Sequence, residues 1–230
     1  MKAILSTIIL LASFLLSSCD VSKEVHSLDS IGNGLCIPDK YISKGGVFFF
    51  MSQNTDESSH SVLIDLPSSE VVAQIPDWKT DSVDFGDGKR KFTDLLVRVT
   101  DRKLITGLSA NQQRLIDKII SNNASFIKTE NTKYLVVKNE QMPFEAFYLV
   151  KEKISQNVAQ STDPLLWIKA SCSKISEFEK NRIDCSVDRI YKKIAYEYNI
   201  VYLNIGNLDN VDTLIQGYLD KWENACKNKT

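Results

Sequence analysis

An α+β fold, with a mainly antiparallel sheet, a middle helix and a C-terminal amphipathic helix, is what this sequence predicts. Three observations carry that expectation. Apolar and β-branched runs follow one another without the alternating helices that a parallel sheet requires. Near the C terminus, Val211, Leu214, Ile215, Tyr218, Trp222 and Cys226 recur at helical spacing. Beyond residue 19 the cysteines are Cys36, Cys172, Cys185 and Cys226, an even set able to staple the fold. The chain has 230 residues, 43 % hydrophobic and 25 % charged, enough to bury a core and unlike a disordered or low-complexity sequence.

The elements follow in order. Cys36-Ile-Pro-Asp-Lys-Tyr41 opens the folded part in extended geometry, because Pro38 biases Ile37 away from the helix region. After Gly45-Gly46, the run Val47 to Met51 predicts a strand, and a polar loop leads to a second strand from Ser61 to Leu66, ended by Pro67. Residues 83–100 read as a hairpin turning at Gly86-Asp87-Gly88, with Leu95, Val97 and Val99 on one side of the returning strand. Ser109 and Gln112 make a capping-box signal for a helix over 110–122, whose Leu115, Ile116, Ile119 and Ile120 form a stripe to lay on a sheet. Strands are expected at 125–128, 133–138 and 144–150, with a turn at Glu130-Asn131. Residues 194–205, rich in Tyr and Ile, predict one long or two short strands before the C-terminal helix.

Alternation chooses the cysteine pairing. Ile168, Ala170 and Cys172 share one face, as do Ile183, Cys185 and Val187, so an antiparallel hairpin brings Cys172 opposite Cys185. Cys36 is then left for Cys226. Closing so long a loop is worth roughly 4–5 kcal/mol in the chain-entropy model. No C-x-x-C occurs and no cysteine has a histidine beside it, so structural disulfides rather than zinc or redox chemistry are expected.

The first nineteen residues, MKAILSTIILLASFLLSSC, have one Lys, an apolar run and two small residues before a cysteine, the layout of an export signal. The run is too short and too interrupted for a spanning helix. Leu16-Ser17-Ser18-Cys19 resembles the lipobox of bacterial lipoproteins, matching at all four positions. That resemblance implies cleavage after residue 18 and a Cys19 carrying a diacylglyceryl thioether and an acylated amine, enough acyl chain for stable anchoring. Asp20 resembles the inner-membrane retention signal of some diderm lineages, so a lipid-anchored, periplasm-facing site in the cell envelope is expected. The chain divides accordingly into a signal peptide (1–18), a flexible polar tether (19–33) containing His26, and a domain (34–230), with any sub-lobes dividing near 152–163.

Chemistry is sparse. The formal charge of −1 supplies no surplus to neutralise phosphates, so nucleic acid is not an expected partner. The folded part holds one histidine, His60, in a Ser-rich loop without a G-x-S-x-G elbow, and there is no H-E-x-x-H, Walker loop or G-x-G-x-x-G. Asp84-Phe85-Gly86 reads as a turn, and Asp81, Asp84 and Asp87 lack the calcium-loop spacing, with Phe92 where a glutamate is needed. No catalytic residue, cofactor or metal is assigned. Glycan or lipid hydrolysis by an Asp or Glu pair would need two carboxylates brought together in a pocket.

Binding through a surface is therefore the expected activity. Candidate contacts are Asp56 and Glu57, Trp78, Lys89 and Arg90, and Tyr196 and Tyr198, since interface anchors are typically aromatic or charged side chains. The motif Cys36-Ile-Pro-x-x-Tyr41, the late cysteine hairpin and the terminal helix ending in Cys226 are together similar in layout to small periplasmic lipoproteins encoded beside interbacterial toxins, the immunity proteins against type VI secretion lipases. This resemblance implies a membrane-anchored inhibitor that occludes the active cleft of a cognate toxin. The alternative is an accessory lipoprotein of an envelope assembly such as a secretion, pilus or conjugation machine, which gene neighbourhood would separate from the first.

Overall fold

In the computed structural model, eight strands form one antiparallel sheet that organises the molecule. The structure describes residues 25–27, 34–43, 61–79, 81–84, 89–92, 94–101, 110–121, 123–129, 133–139, 145–174 and 182–228. In chain order the elements are β1 (Val25–Ser27), β2 (Cys36–Pro38), β3 (Ser61–Leu66), α1 (Ser68–Gln74), β4 (Asp81–Asp84), β5 (Lys89–Phe92), β6 (Leu95–Asp101), α2 (Ala110–Ile120), β7 (Ile127–Lys128), β8 (Leu135–Lys138), β9 (Ala146–Val150), α3 (Gln156–Ser161), β10 (Ile168–Ser173), β11 (Asp184–Tyr191), β12 (Ile194–Val201) and α4 (Leu208–Lys227). The expected α+β class, middle helix and C-terminal helix are all present.

The sheet order is β3-β6-β12-β11-β10-β9-β8-β7. From β7 to β12 it is a meander in which sequence neighbours pair, so the segment 152–163, holding α3, lies between two directly paired strands. Two further pairings, β1 with β2 and β4 with β5, stand outside it. Alternation sorts the side chains onto the two faces. Leu95, Val97 and Val99 of β6 and Ile194, Tyr196, Tyr198 and Ile200 of β12 turn to one core, shared with Leu208, Val211, Leu214, Ile215, Leu219 and Trp222 of α4. Each of those six α4 side chains is worth roughly 1.5–3 kcal/mol on burial, which is what fixes the helix to the sheet. The opposite face is covered at its β8-β9-β10 end by α2 and α3, through Leu115, Ile116, Ile119 and Ala159 packed against Val137, Tyr148 and Val150.

Both expected disulfides form. Cys172 and Cys185 are directly opposite on β10 and β11, with Cα atoms 4.0 Å apart. Cys36 of β2 joins Cys226 in the last turn of α4, with Cα atoms 5.1 Å apart. A carboxylate strengthens this junction: Glu70 of α1 accepts from Lys40 Nζ (2.9 Å), Tyr41 Oη (2.8 Å) and the Tyr218 hydroxyl of α4. Burial alone would raise the Glu70 carboxyl, but those three donors overcome it and hold it down at about 2.

Several local expectations need correction. Residues 83–100 are not one hairpin: β4 pairs with β5, while β6 leaves to join the main sheet. Asp94, just before β6, serves another element: its Oδ1 accepts from the Ser68 N–H at 2.7 Å and so caps the start of α1, a helix entered through Pro67. Residues 194–205 make one strand ending at Val201, followed by a 3-10 turn at Tyr202–Asn207. Within the stretch 19–33, read as a flexible polar tether, the described residues Val25–Ser27 pair with β2, and His26 lies in that strand. Helix α3 is a further element, started by Ser155, whose side chain accepts from the Val158 N–H. The expected strand at 47–51, the cap at Ser109 and the turn at Glu130-Asn131 lie outside the described residues.

Candidate functional site

The site is built on β6, β11 and β12, whose two faces do different work. On the α4 side, the Tyr198 and Tyr196 hydroxyls donate to Asp212 Oδ1 at 2.9 and 3.3 Å, and Arg189 Nε donates to Asp212 Oδ2 at 2.7 Å. The remaining guanidinium nitrogens donate to the carbonyl oxygens of Asp188 and Lys169, each at 2.9 Å, and Gln216 donates to Tyr196 Oη at 3.1 Å. A buried arginine is thus fully engaged, and the network locks α4 to the sheet. Burial and the neighbouring Asp212 carboxylate push both tyrosine hydroxyls upward, so they remain neutral donors.

Tyr196 and Tyr198, expected to be recognition residues, are each 2 % exposed. They are core side chains whose hydroxyls serve Asp212, because their parity on β12 turns them towards α4. Trp78 is partly buried against the same core, and the adjacent Lys79 backbone is gripped by the Asn204 side chain, which accepts at 2.8 Å and donates at 2.9 Å. Lys89 and Arg90 lie on β5, opposite Asp84 and Val83. Asp56, Glu57, Cys19 and Asp20 lie outside the described residues. Trp78, Tyr196 and Tyr198, the candidates whose side chains are described, therefore share the core rather than an exposed surface.

What the structure does bring together is a row on the opposite face. Asp188 pairs across to Glu197 and Glu197 to Arg98, so three charged side chains from three strands sit side by side. Arg98 Nη1 lies 3.2 Å from Glu197 Oε1. With Thr100, Ala195 and Leu165 they line a small, shallow recess, and Leu166, 65 % exposed, stands next to Leu165 in the chain. Burial first, and then the like charge of Glu197, pushes the Asp188 carboxyl up to about 6, with the Arg189 charge acting in the opposite sense. The 3-10 turn Pro164–Leu166 packs on β11 beside this row, while among the described residues the core beneath α2 and α3 takes nothing from β3, β6, β11 or β12. Such a row can receive a cationic or hydrogen-bonding group, and Asp188 can exchange a proton near pH 6.

The raised Asp188 carboxyl has a measurable consequence. A folded-state value above the unfolded one means stability is fully present below about pH 4 and is lost as pH rises through about 6. Asp188→Asn is therefore expected to stabilise the domain by on the order of 2 kcal/mol at pH 7.5 and to make no difference at pH 4. Urea denaturation at the two pH values checks this. A variant less stable than the parent at pH 7.5 would contradict it.

Arg98, Asp188 and Glu197 are the residues that sequence reasoning misses. Their parity is readable, since Leu95, Val97 and Val99 facing inward leave Arg98 outward, but their juxtaposition depends on the register of three strands. Among the described residues, no group of three His, Cys, Asp or Glu side chains is placed to hold a metal ion, and no helix is long and apolar enough to cross a membrane. Comparison with family models, curated proteins and solved structures gives no match.

Proposed function

We propose that this chain is a membrane-anchored protein of the bacterial envelope that binds another protein, and that it is an immunity protein which neutralises a secreted antibacterial toxin by occluding its active site. The observation that carries this reading is Leu16-Ser17-Ser18-Cys19, set shortly before a domain that closes on two disulfides. A bridged domain suits an oxidising compartment, and a sheet carrying a row of charged side chains on one face suits docking without rearrangement. Lipidation would keep the inhibitor at high effective concentration where a toxin meets the bilayer.

Co-expression of the mature domain with the product of the neighbouring gene tests this. The expected result is a stable complex and relief of toxicity. Neither a complex nor relief would remove the proposal. A second reading, acid–base chemistry by Asp188 and Glu197, is favoured by the raised Asp188 carboxyl. The shallowness of the recess and the Arg98 charge beside Glu197 favour binding instead. Assay of the purified domain on lipid and glycan substrates separates the two: turnover that Asp188→Asn abolishes supports catalysis, and protection without any turnover supports binding.

A further inference from the structure

The route from Cys19 into the fold is short. Val25 pairs with Pro38, two residues beyond Cys36, which is bridged to Cys226 at the end of α4. Only six residue steps separate Cys19 from Val25, a reach of about 20 Å fully extended. A domain of this size is about 40 Å across, so an anchored Cys19 excludes any orientation with the α4 C-terminal end turned away from the bilayer. The opposite end of α4 lies about 30 Å away along the helix.

The tethered end has its own chemistry. Lys40, Lys192 and Lys227 have side chains 62, 45 and 60 % exposed, while two of the carboxylates that they bind, Glu70 and Glu223, are 28 and 7 % exposed. Lys192, at φ 55° in the turn between β11 and β12, holds Asp220 at 2.6 Å and Glu223 at 3.0 Å, and Asp220 is the more open partner at 43 %. Lys193 beside it and Lys221 on α4 are exposed. The ammonium groups therefore stand outermost with most of their counter-charge set behind them, an arrangement complementary to an anionic headgroup layer within a Debye length.

We infer that the end of the domain stapled by Cys36 and Cys226 rests on the anionic phospholipid surface through Lys40, Lys192, Lys193, Lys221 and Lys227, with the N-terminal end of α4 pointing away from it. The inference rests on Cys19 being the anchor, and it fixes which surface is offered to a partner. The recess at Asp188 and Glu197 then opens to the side, within reach of a protein working at the same bilayer.

The test uses the mature chain with its disulfides intact, coupled through Cys19 to a maleimide phospholipid in vesicles of phosphatidylglycerol and phosphatidylethanolamine. Lysine acylation is then mapped by mass spectrometry against the uncoupled protein. Expected is a several-fold loss of labelling at Lys193 and Lys221 on these vesicles, with Lys133, which pairs with Asp209 at the far end of α4, unchanged. Lys193→Glu/Lys221→Glu, an exposed pair whose replacement leaves the core untouched, should lose protection at Lys40 and Lys227 while still tethered. Equal labelling on and off vesicles, protection of Lys133 instead, or the same protection on phosphatidylcholine overturns the inference. Because the coupling is chemical, this outcome is independent of acylation in the cell, whose absence would sink the anchor reading and leave the footprint standing.

Discussion

Replacing Cys36 and Cys226 together with serine is expected to lower the stability of the oxidised domain by about 4–5 kcal/mol, the largest effect of any disulfide here. The bridge closes a loop of 190 residues, and its removal releases nearly the whole chain in the unfolded state. By the same relation the Cys172–Cys185 bridge, spanning 13 residues, is worth about 3 kcal/mol. The cost also has a native-state side, since β2 and the last turn of α4 would be held by Leu35 and Ile37 in the shared core, by Tyr41 against Tyr218 and Trp222 and by the Glu70 hydrogen bonds. Thermal unfolding should show a drop on the order of 10 °C for the double serine variant. Reductant should lower the parent to or below that level and move the variant less. An unchanged midpoint would mean that the termini are secured by packing alone.

Asp212→Ala is expected to cost about 3–5 kcal/mol, the range for removing one partner of a buried ion pair. Arg189 would stay buried, at 8 % exposure, with no carboxylate, and the hydroxyls of Tyr196 and Tyr198 would lose their acceptor. Replacing both charges, as Arg189→Met with Asp212→Leu, should cost clearly less than Asp212→Ala, because no unpaired charge is left behind. Equal losses in the two variants by urea denaturation would contradict the assigned role of the pair.

Much of this fold is legible in the sequence because the strongest patterns are local. The alternation of Leu95, Val97 and Val99 marks β6, the spacing from Val211 to Trp222 marks α4, and the parity of Cys172 and Cys185 fixes their bridge. Elements set by distant partners are not legible. Helix α1 starts where Asp94 reaches the Ser68 N–H, and the turn after Val201 is secured by Asn204 gripping Lys79, 125 residues away. The candidate site is harder still, since Arg98 meets Glu197 and Asp188 only through strand register. Tyr196 and Tyr198 show the reverse case. Their parity with Ile194 and Ile200 already places them inward, and that signal outweighs the general preference of tyrosine for interfaces.

The central proposal is that a stapled domain works at a membrane surface through an acylated Cys19. Metabolic labelling with an alkyne fatty acid, followed by mass spectrometry of the N-terminal peptide, reads it directly. The expected product begins at Cys19, lacks residues 1–18 and carries the label, which Cys19→Ala abolishes. An unlabelled mature protein, or a Cys19→Ala form that is released from the membrane yet protects cells fully, would contradict the proposal.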